Sequence, residues 1–323
     1  MYKILVIAKK EITDAFKSRR ILLLLFILSA TMFASVWIGS IGFGARMRDY
    51  NTYLAALPSP LRLQALKSPR LFPLTLLRAG VEYLEILGAL LAFLIGYSSV
   101  ARERANGTNL LLLSRPVTKL QILWGKMLGL STLWAGVLVV NLLAATIAVL
   151  TIGNARLAGV DYQRLIIAFG TAQVYLAFWT LFGLAMTARL RRLVTSLFIG
   201  ISAWVSIVLV LPQIGDTMDP DNQVPGGLFA SLGIAKGQEL AVLSHFHFFD
   251  VIRNGIEVSS ITKLFERIAF AFLGIKDKYN QLPIETTFIG MKTSIFGIVL
   301  MFLLLVFIAI FASRSQQFLG RKK

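Results

Sequence analysis

Cysteine is missing altogether, histidine occurs twice in 323 residues, and acidic side chains number 16 against 33 Lys and Arg. Without cysteine no disulfide or thiolate metal site can form. His245 and His247 diverge by about 200° on a helix and have no cysteine nearby to complete a ligand set, so no metal site is expected. Charged residues make up only 15% of the chain and hydrophobic residues 56%, whereas soluble domains carry about 25% charge. A surface this poor in charge cannot be clothed in water. Also missing are a G-x-x-x-x-G-K-[ST] loop, an H-E-x-x-H helix motif, a Gly-rich dinucleotide loop and a Ser, His and Asp arrangement. No catalytic residue, no cofactor and no enzymatic activity is therefore expected in this chain.

Long uncharged runs are what the sequence has instead. Ile21 to Ala45, Met127 to Ala155, Leu165 to Ala188, Leu193 to Gly215 and Thr293 to Ser313 are each 21 to 29 residues long, and a helix of roughly 20 apolar residues crosses a bilayer core. A sixth run, Ala79 to Ala101, carries Glu82 and Glu85 near its start. The expected fold is an all-α integral membrane protein with six spans at about 21-43, 79-101, 127-152, 165-188, 193-212 and 292-313. The first run is too long for the 7 to 15 apolar residues of a secretory signal, so it is expected to remain as a span. No internal repeat or low-complexity tract divides the chain, and 1-323 reads as a single membrane domain.

An excess of Lys and Arg in a soluble protein would raise the question of nucleic acid; here it is a topology signal, and no nucleic-acid partner is expected. Segments 1-20, 102-126, 189-192 and 314-323 hold 18 basic residues in 59 positions, and the remaining connections hold 15 in 119. That bias places both termini in the cytoplasm of a multi-pass protein in the cell (inner or plasma) membrane. The short turn with Arg189, Arg191 and Arg192 weighs most, while 46-78, with six basic residues, disagrees.

Between the spans, residues 2-20 place Ile4, Leu5, Ala8, Ile12, Ala15 and Phe16 on one helical face and Lys9, Lys10, Thr13, Asp14 and Lys17 on another, the pattern of an interfacial helix over 1-20. Pro58, Pro60, Pro69 and Pro73 predict an irregular or short-helical segment over 46-78. The external segment 216-290 opens with a turn-rich loop. It continues with two amphipathic helices, about 238-254 and 259-273, seated against the outer surface or partly re-entrant.

The stretch Glu103 to Lys126, "ERANGTNLLLLSRPVTKLQILWGK", interrupts this apolar pattern. Gly107 should end the second span, Thr108 or Asn109 can cap a new turn, and Pro116 stops that turn or begins the next helix. Lys119 and Lys126 then share a polar face, away from Leu120, Leu123, Trp124 and Met127. The expected result is a cytoplasmic helix-turn-helix suited to docking a partner. "NGT" at Asn106 is a glycosylation sequon by pattern, silent on that side.

"ARERANGTNLLLLSRPVTKLQILWGKMLG" resembles the signature of the type-2 export permeases of ATP-binding-cassette transporters. In that family an acidic residue, a Gly-Thr pair, a leucine run, a Ser-x-Pro and a Gly-Lys precede the third span; Glu103, Gly107, Thr108, Leu111, Pro116, Gly125 and Lys126 stand at those positions. The leader "IAKKEITDAFKSRR", the six spans and the long fifth connection are similar as well. Asn106 and Asn109 depart from the charged residues more usual there. The resemblance implies a permease subunit that pairs with a second copy or paralogue and binds ATP-binding-cassette ATPase subunits. The residues named would then form the ATPase-coupling surface.

Four polar residues within the spans are candidates for a substrate path: Glu82, Glu85, Asn141 and Gln173. Each has a plain structural alternative, since the carboxylates lie near an interface and the amides can bond neighbouring helices. The competing function is a non-transporting membrane anchor or assembly factor that recruits a soluble partner. An ion-coupled carrier working alone would need more charged or broken-helix features at mid-membrane.

Overall fold

The structure, a computed structural model, describes residues 2-58, 72-107, 117-152, 157-218, 231-233, 238, 247-276, 279 and 282-314. Among these residues there is no strand, and six helices are long and apolar enough to cross a membrane. In chain order they are α2 (Arg19–Ala56), α3 (Pro73–Ala105), α4 (Lys119–Thr151), α5 (Gly159–Arg189), α6 (Leu193–Gly215) and α9 (Ile284–Arg314). A further helix, α1 (Tyr2–Lys17), precedes them, and α7 (His247–Ser259) and α8 (Ile261–Phe272) lie between the fifth and sixth spans. The spans alternate in direction. The α1 side of the bundle therefore gathers the start of α2, the end of α3, the start of α4 and the end of α5.

The core is built on α3 and α5. Two thirds of the apolar window of α3 is buried and half that of α5, against 28%, 17% and 22% for α2, α6 and α9. Close approach depends on two small residues, because a Cβ on Gly96 would collide with the Thr180 carbonyl and one on Gly183 with the Phe93 carbonyl. With no gain from burying apolar surface inside lipid, helices pack through such contacts. Trp134, Trp179, Tyr175 and Phe93 fill the space around the crossing, each fully buried. Trp134 donates its ring N–H to Thr180 Oγ1 at 3.0 Å, so that polar group is satisfied in the core.

Several elements differ from the sequence expectations. The helix that carries the first span does not end near residue 43: α2 runs for 38 residues through Arg46, Arg48 and Asp49 to Ala56. At 1.5 Å per residue that is about 57 Å, against a bilayer core of about 30 Å, so its last turns project beyond it. Nothing before Pro58 removes a backbone donor, which lets the helix continue. Residues 59-71 lie outside the described part, and Pro73–Leu77 form a 3-10 turn leading into the second span. The fourth helix starts at Lys119, where Thr118 and Gln121 close a capping box: Thr118 Oγ1 accepts from the Gln121 N–H and Gln121 Oε1 accepts from the Thr118 N–H.

Two spans carry a widened turn. Leu84–Gly88 in α3 and Val205–Val210 in α6 are π-helical, and the two segments touch. In α6 the widening precedes Pro212, which has no N–H to donate back along the helix. The carbonyls made available are met by other elements. Tyr175 donates its hydroxyl to the Glu85 carbonyl at 2.8 Å, and Ser260 donates to the Ile207 carbonyl at 3.1 Å.

Ser260 also caps α8, which packs among α3, α5, α6 and α9. Its Phe265 ring stacks on Tyr175, near the middle of the 31-residue α5, with centroids 4.6 Å apart and planes 9° off parallel. The charged edge of α8 closes on itself and on α7: Lys263 pairs with Glu266 at 2.7 Å, and Arg267 pairs with Glu257 and donates to Asn254 Oδ1. At the other end Arg164 clamps the structure, donating to the Phe272 and Leu282 carbonyls beneath the Phe72 ring.

Candidate functional site

Among the described residues a buried charged constellation lies on the α1 side, where three elements meet. Glu103, at the end of α3, and Lys126, in the second turn of α4, come within 2.8 Å. Lys126 also reaches Glu11 of α1 at 2.7 Å, and it donates to Ser99 Oγ at 3.0 Å and to the Ser99 carbonyl at 3.3 Å. Ser99 in turn donates to the second oxygen of Glu11 at 2.7 Å. Lys10 closes the outer edge by pairing with Glu103 and lies 3.6 Å from Asp14. Lys126 and Glu11 are each 2% exposed and Glu103 is 8% exposed.

Local structure explains why these groups converge. An α1 face of Ile7, Ala8, Glu11 and Ala15 is buried, and it packs along the start of α4. A Cβ on Gly125 would lie 2.6 Å from Ile7 Cβ, and one on Gly129 would lie 2.6 Å from the Ala8 carbonyl. The two glycines, four apart on one face, let the backbones approach closely, and Lys126 beside them enters the seam. Burial alone would drive Glu11 neutral. The Lys126 charge and hydrogen bond, then Lys10 and the Ser99 hydroxyl, outweigh it and hold the carboxyl below its ordinary range, ionised at neutral pH. For Lys10, partial burial is outweighed by the Glu103 hydrogen bond and the carboxylates around it, and its pKa is raised.

Arg104 ties the same end of α3 to a fourth element, donating to the Leu190 carbonyl at 2.7 Å and the Ala188 carbonyl at 2.9 Å at the end of α5. Adjacent residues at the end of α3 thus grip different neighbours, Glu103 the α1–α4 pair and Arg104 the α5–α6 turn. Displacing this end of α3 therefore pulls on both. Gly107 follows with φ +67°, a left-handed conformation that favours glycine, and a Cβ there would meet nothing within 4 Å. It ends α3 through a bond from its N–H to the Arg104 carbonyl at 3.4 Å.

Of the seven residues expected to couple to a partner, the structure brings Glu103, Gly125 and Lys126 into this cluster and puts Gly107 at its rim. Thr108, Leu111 and Pro116 lie outside the described residues. The position of Lys126 corrects one expectation: it does not share a solvated face with Lys119 but is buried, because α1 supplies Glu11 to receive it. Glu11, Lys10, Ser99, Gly129 and Arg104 were not singled out by sequence reasoning. A signal was present for Glu11, one of only three acids among the 59 positions of the basic segments.

The substrate-path candidates are scattered. Glu82 is half-buried and receives Arg78 at 2.9 Å one turn back. Glu85 is buried within the π-helical turn of α3. Asn141 donates to Ser29 Oγ at 3.1 Å and to the Val137 carbonyl at 2.8 Å, and Gln173 donates to the Ser131 carbonyl at 3.0 Å. A cavity of about 30 Å³ lies among Met32, Val36, Leu84, Phe169 and Phe265; of the four candidates only Asn141 lines it.

A family model described as ABC-2 family transporter protein matches residues 5–317. No curated protein matches the chain.

Proposed function

The chain belongs to the ABC-2 family of transporter proteins, and on that premise we propose that it is the permease subunit of an ATP-driven exporter. It spans the membrane, and proteins of this family work with ATP-binding-cassette ATPases. On this reading the hydrolysing subunits are separate polypeptides, the permease pairs with a second copy or paralogue, and both termini face the cytoplasm. Nucleotide-driven closure of the ATPases pushes on 103-126, and the motion enters the bundle through the ends of α3 and α4.

The observation that carries the reading is the buried cluster of Glu11, Lys126, Glu103, Lys10 and Ser99. It locks α1, α3 and α4 at the segment that bears the family signature. A recruitment loop on a passive anchor needs exposed contact groups and has no use for charges shared by three helices. Its members are shared between helices, Lys126 with Glu11 and Glu103 and Lys10 with Glu103, so a shift of one helix end disturbs pairs on the others. The proposed coupling unit therefore includes α1 as well as 103-126.

Full-length chain purified in mild detergent from membranes that produce it natively should carry an ATP-hydrolysing subunit. Glu103→Gln or Gly107→Val should leave that subunit bound while changing its turnover and abolishing export of whatever substrate is established. A chain that purifies without any ATPase, or a turnover indifferent to both substitutions, overturns the reading.

A further inference from the structure

The cluster occupies one side of α1; the other side is open, with Leu5 56% exposed, Phe16 59% and Tyr2 80%. Helical spacing sets Leu5, Ile12 and Phe16 along one flank and Lys3, Lys10 and Lys17 along another. Lys9, Lys17, Arg19 and Arg20 are exposed across the junction of α1 with α2. The depth of this surface follows from its neighbours. Ala8 rests on Gly129, inside the uncharged run that starts at Met127, and Ile7 rests on Gly125 beside the exposed Trp124. Trp gathers at the membrane-water boundary, so α1 lies where headgroups give way to hydrocarbon.

The acids on this side are already committed. Segments 1-20, 102-126, 189-192 and 314-323 contain Glu11, Asp14 and Glu103 and no other Asp or Glu. Glu11 and Glu103 are buried against Lys126 and Lys10, and Asp14 lies by Lys10. The exposed cations at the α1–α2 junction outnumber the acids within reach and are open to a counter-charge from outside the chain. An acidic protein surface or a lipid headgroup could supply it. The apolar flank beside the cations favours lipid, since Leu5 and Phe16 at this depth meet acyl chains.

We propose that the outer face of α1, with Arg19 and Arg20, binds anionic phospholipid headgroups, and that leaflet charge thereby seats the helix that contributes Glu11 to the cluster. The binding stands on the geometry alone; its consequence for coupling rests on the proposed permease function. Near a charged leaflet each basic residue contributes on the order of fivefold in affinity, an effect that salt weakens.

The test uses the purified full-length chain without any ATPase, so its outcome is independent of the permease reading. Native mass spectrometry should show phosphatidylglycerol retained in preference to phosphatidylcholine. The combined variant Lys9→Gln, Lys17→Gln, Arg19→Gln, Arg20→Gln should lose that preference by roughly several hundredfold, while Arg191→Gln with Arg192→Gln, exposed on the same side, should keep it. In otherwise wild-type chain, Leu5→Cys carrying a polarity-sensitive fluorophore should report a drier environment in nanodiscs of equimolar phosphatidylcholine and phosphatidylglycerol than in phosphatidylcholine alone. Equal retention of the two lipids by the wild type, equal loss in both variants, or a fluorophore indifferent to phosphatidylglycerol each overturns the proposal. The first result would point to an acidic protein surface as the partner.

Discussion

Lys126 is the residue on which the α1 side depends most. Its ammonium is 2% exposed and faces two carboxylates and a serine, so Lys126→Met removes the charge that keeps Glu11 and Glu103 together. Breaking a buried pair from one side costs about 3–5 kcal/mol, because an uncompensated charge is left behind. Adding Glu11→Gln removes the buried carboxylate left with only Lys10 at 3.4 Å and the Ser99 hydroxyl, and Glu103 retains Lys10, so the double variant should be more stable than Lys126→Met alone. Thermal unfolding of the three proteins in detergent checks this. A double variant that is less stable than the single would show that the groups do not act as one network. Helical periodicity could not have revealed this arrangement, because it places Lys126 on a polar face with Lys119. Its true partner lies 115 positions away on a different helix. Glu103, Gly107, Gly125 and Lys126 were legible through their order along the chain and Glu11 only through its rarity as an acid, whereas Ser99 becomes visible only when the helices are packed.

Among the elements, α8 gives the clearest case of a pattern with two solutions. Ile261, Leu264, Phe265, Ile268 and Phe272 describe an apolar stripe that suits a surface helix as well as an inserted one. What commits α8 to the interior is that its charges are absorbed by α7 and by each other, leaving Phe265 free to stack on Tyr175. The π-helical turns are invisible in sequence, since Leu84–Gly88 and Val205–Val210 read as ordinary apolar helix; only Pro212 hints at the second. Spans were legible because uncharged length is a property of a segment alone, whereas insertion and widening depend on neighbours. Tyr175→Phe keeps the ring stack but removes the hydroxyl from the Glu85 carbonyl and Thr262. The expected loss is about 0.5–1.5 kcal/mol, with faster hydrogen exchange in residues 84-88 and 261-265 and unchanged exchange in α1. Phe265→Ala should cost more, about 3–5 kcal/mol, by emptying the contact. If exchange in 84-88 is unaffected by Tyr175→Phe, the hydroxyl does not hold that turn.

For the whole molecule, orientation reduces to a single choice. Because the spans alternate and the ends of α3, α4 and α5 are bonded to one another or to α1, Asn106 and the Arg191–Arg192 turn must share a side, and α7 must attach on the opposite one. On the proposed reading the sign comes from the 18 basic residues in 59 positions against 15 in 119, since positive charge tends to stay on the cytoplasmic face of short connections. The native chain contains no cysteine, so a single introduced thiol reports without background. Asn106→Cys lies at an exposed position just before the left-handed Gly107, and Val251→Cys is on the exposed side of α7. A membrane-impermeant maleimide applied to intact cells should modify Val251→Cys and leave Asn106→Cys unmodified until the membrane is opened. The reverse pattern would place the coupling cluster outside the cell, beyond the reach of any cytoplasmic ATPase. Modification of both before opening would mean that one of the intervening helices does not cross. Either result would contradict the orientation that the basic segments imply and would sever the proposed route from nucleotide to α3 and α4.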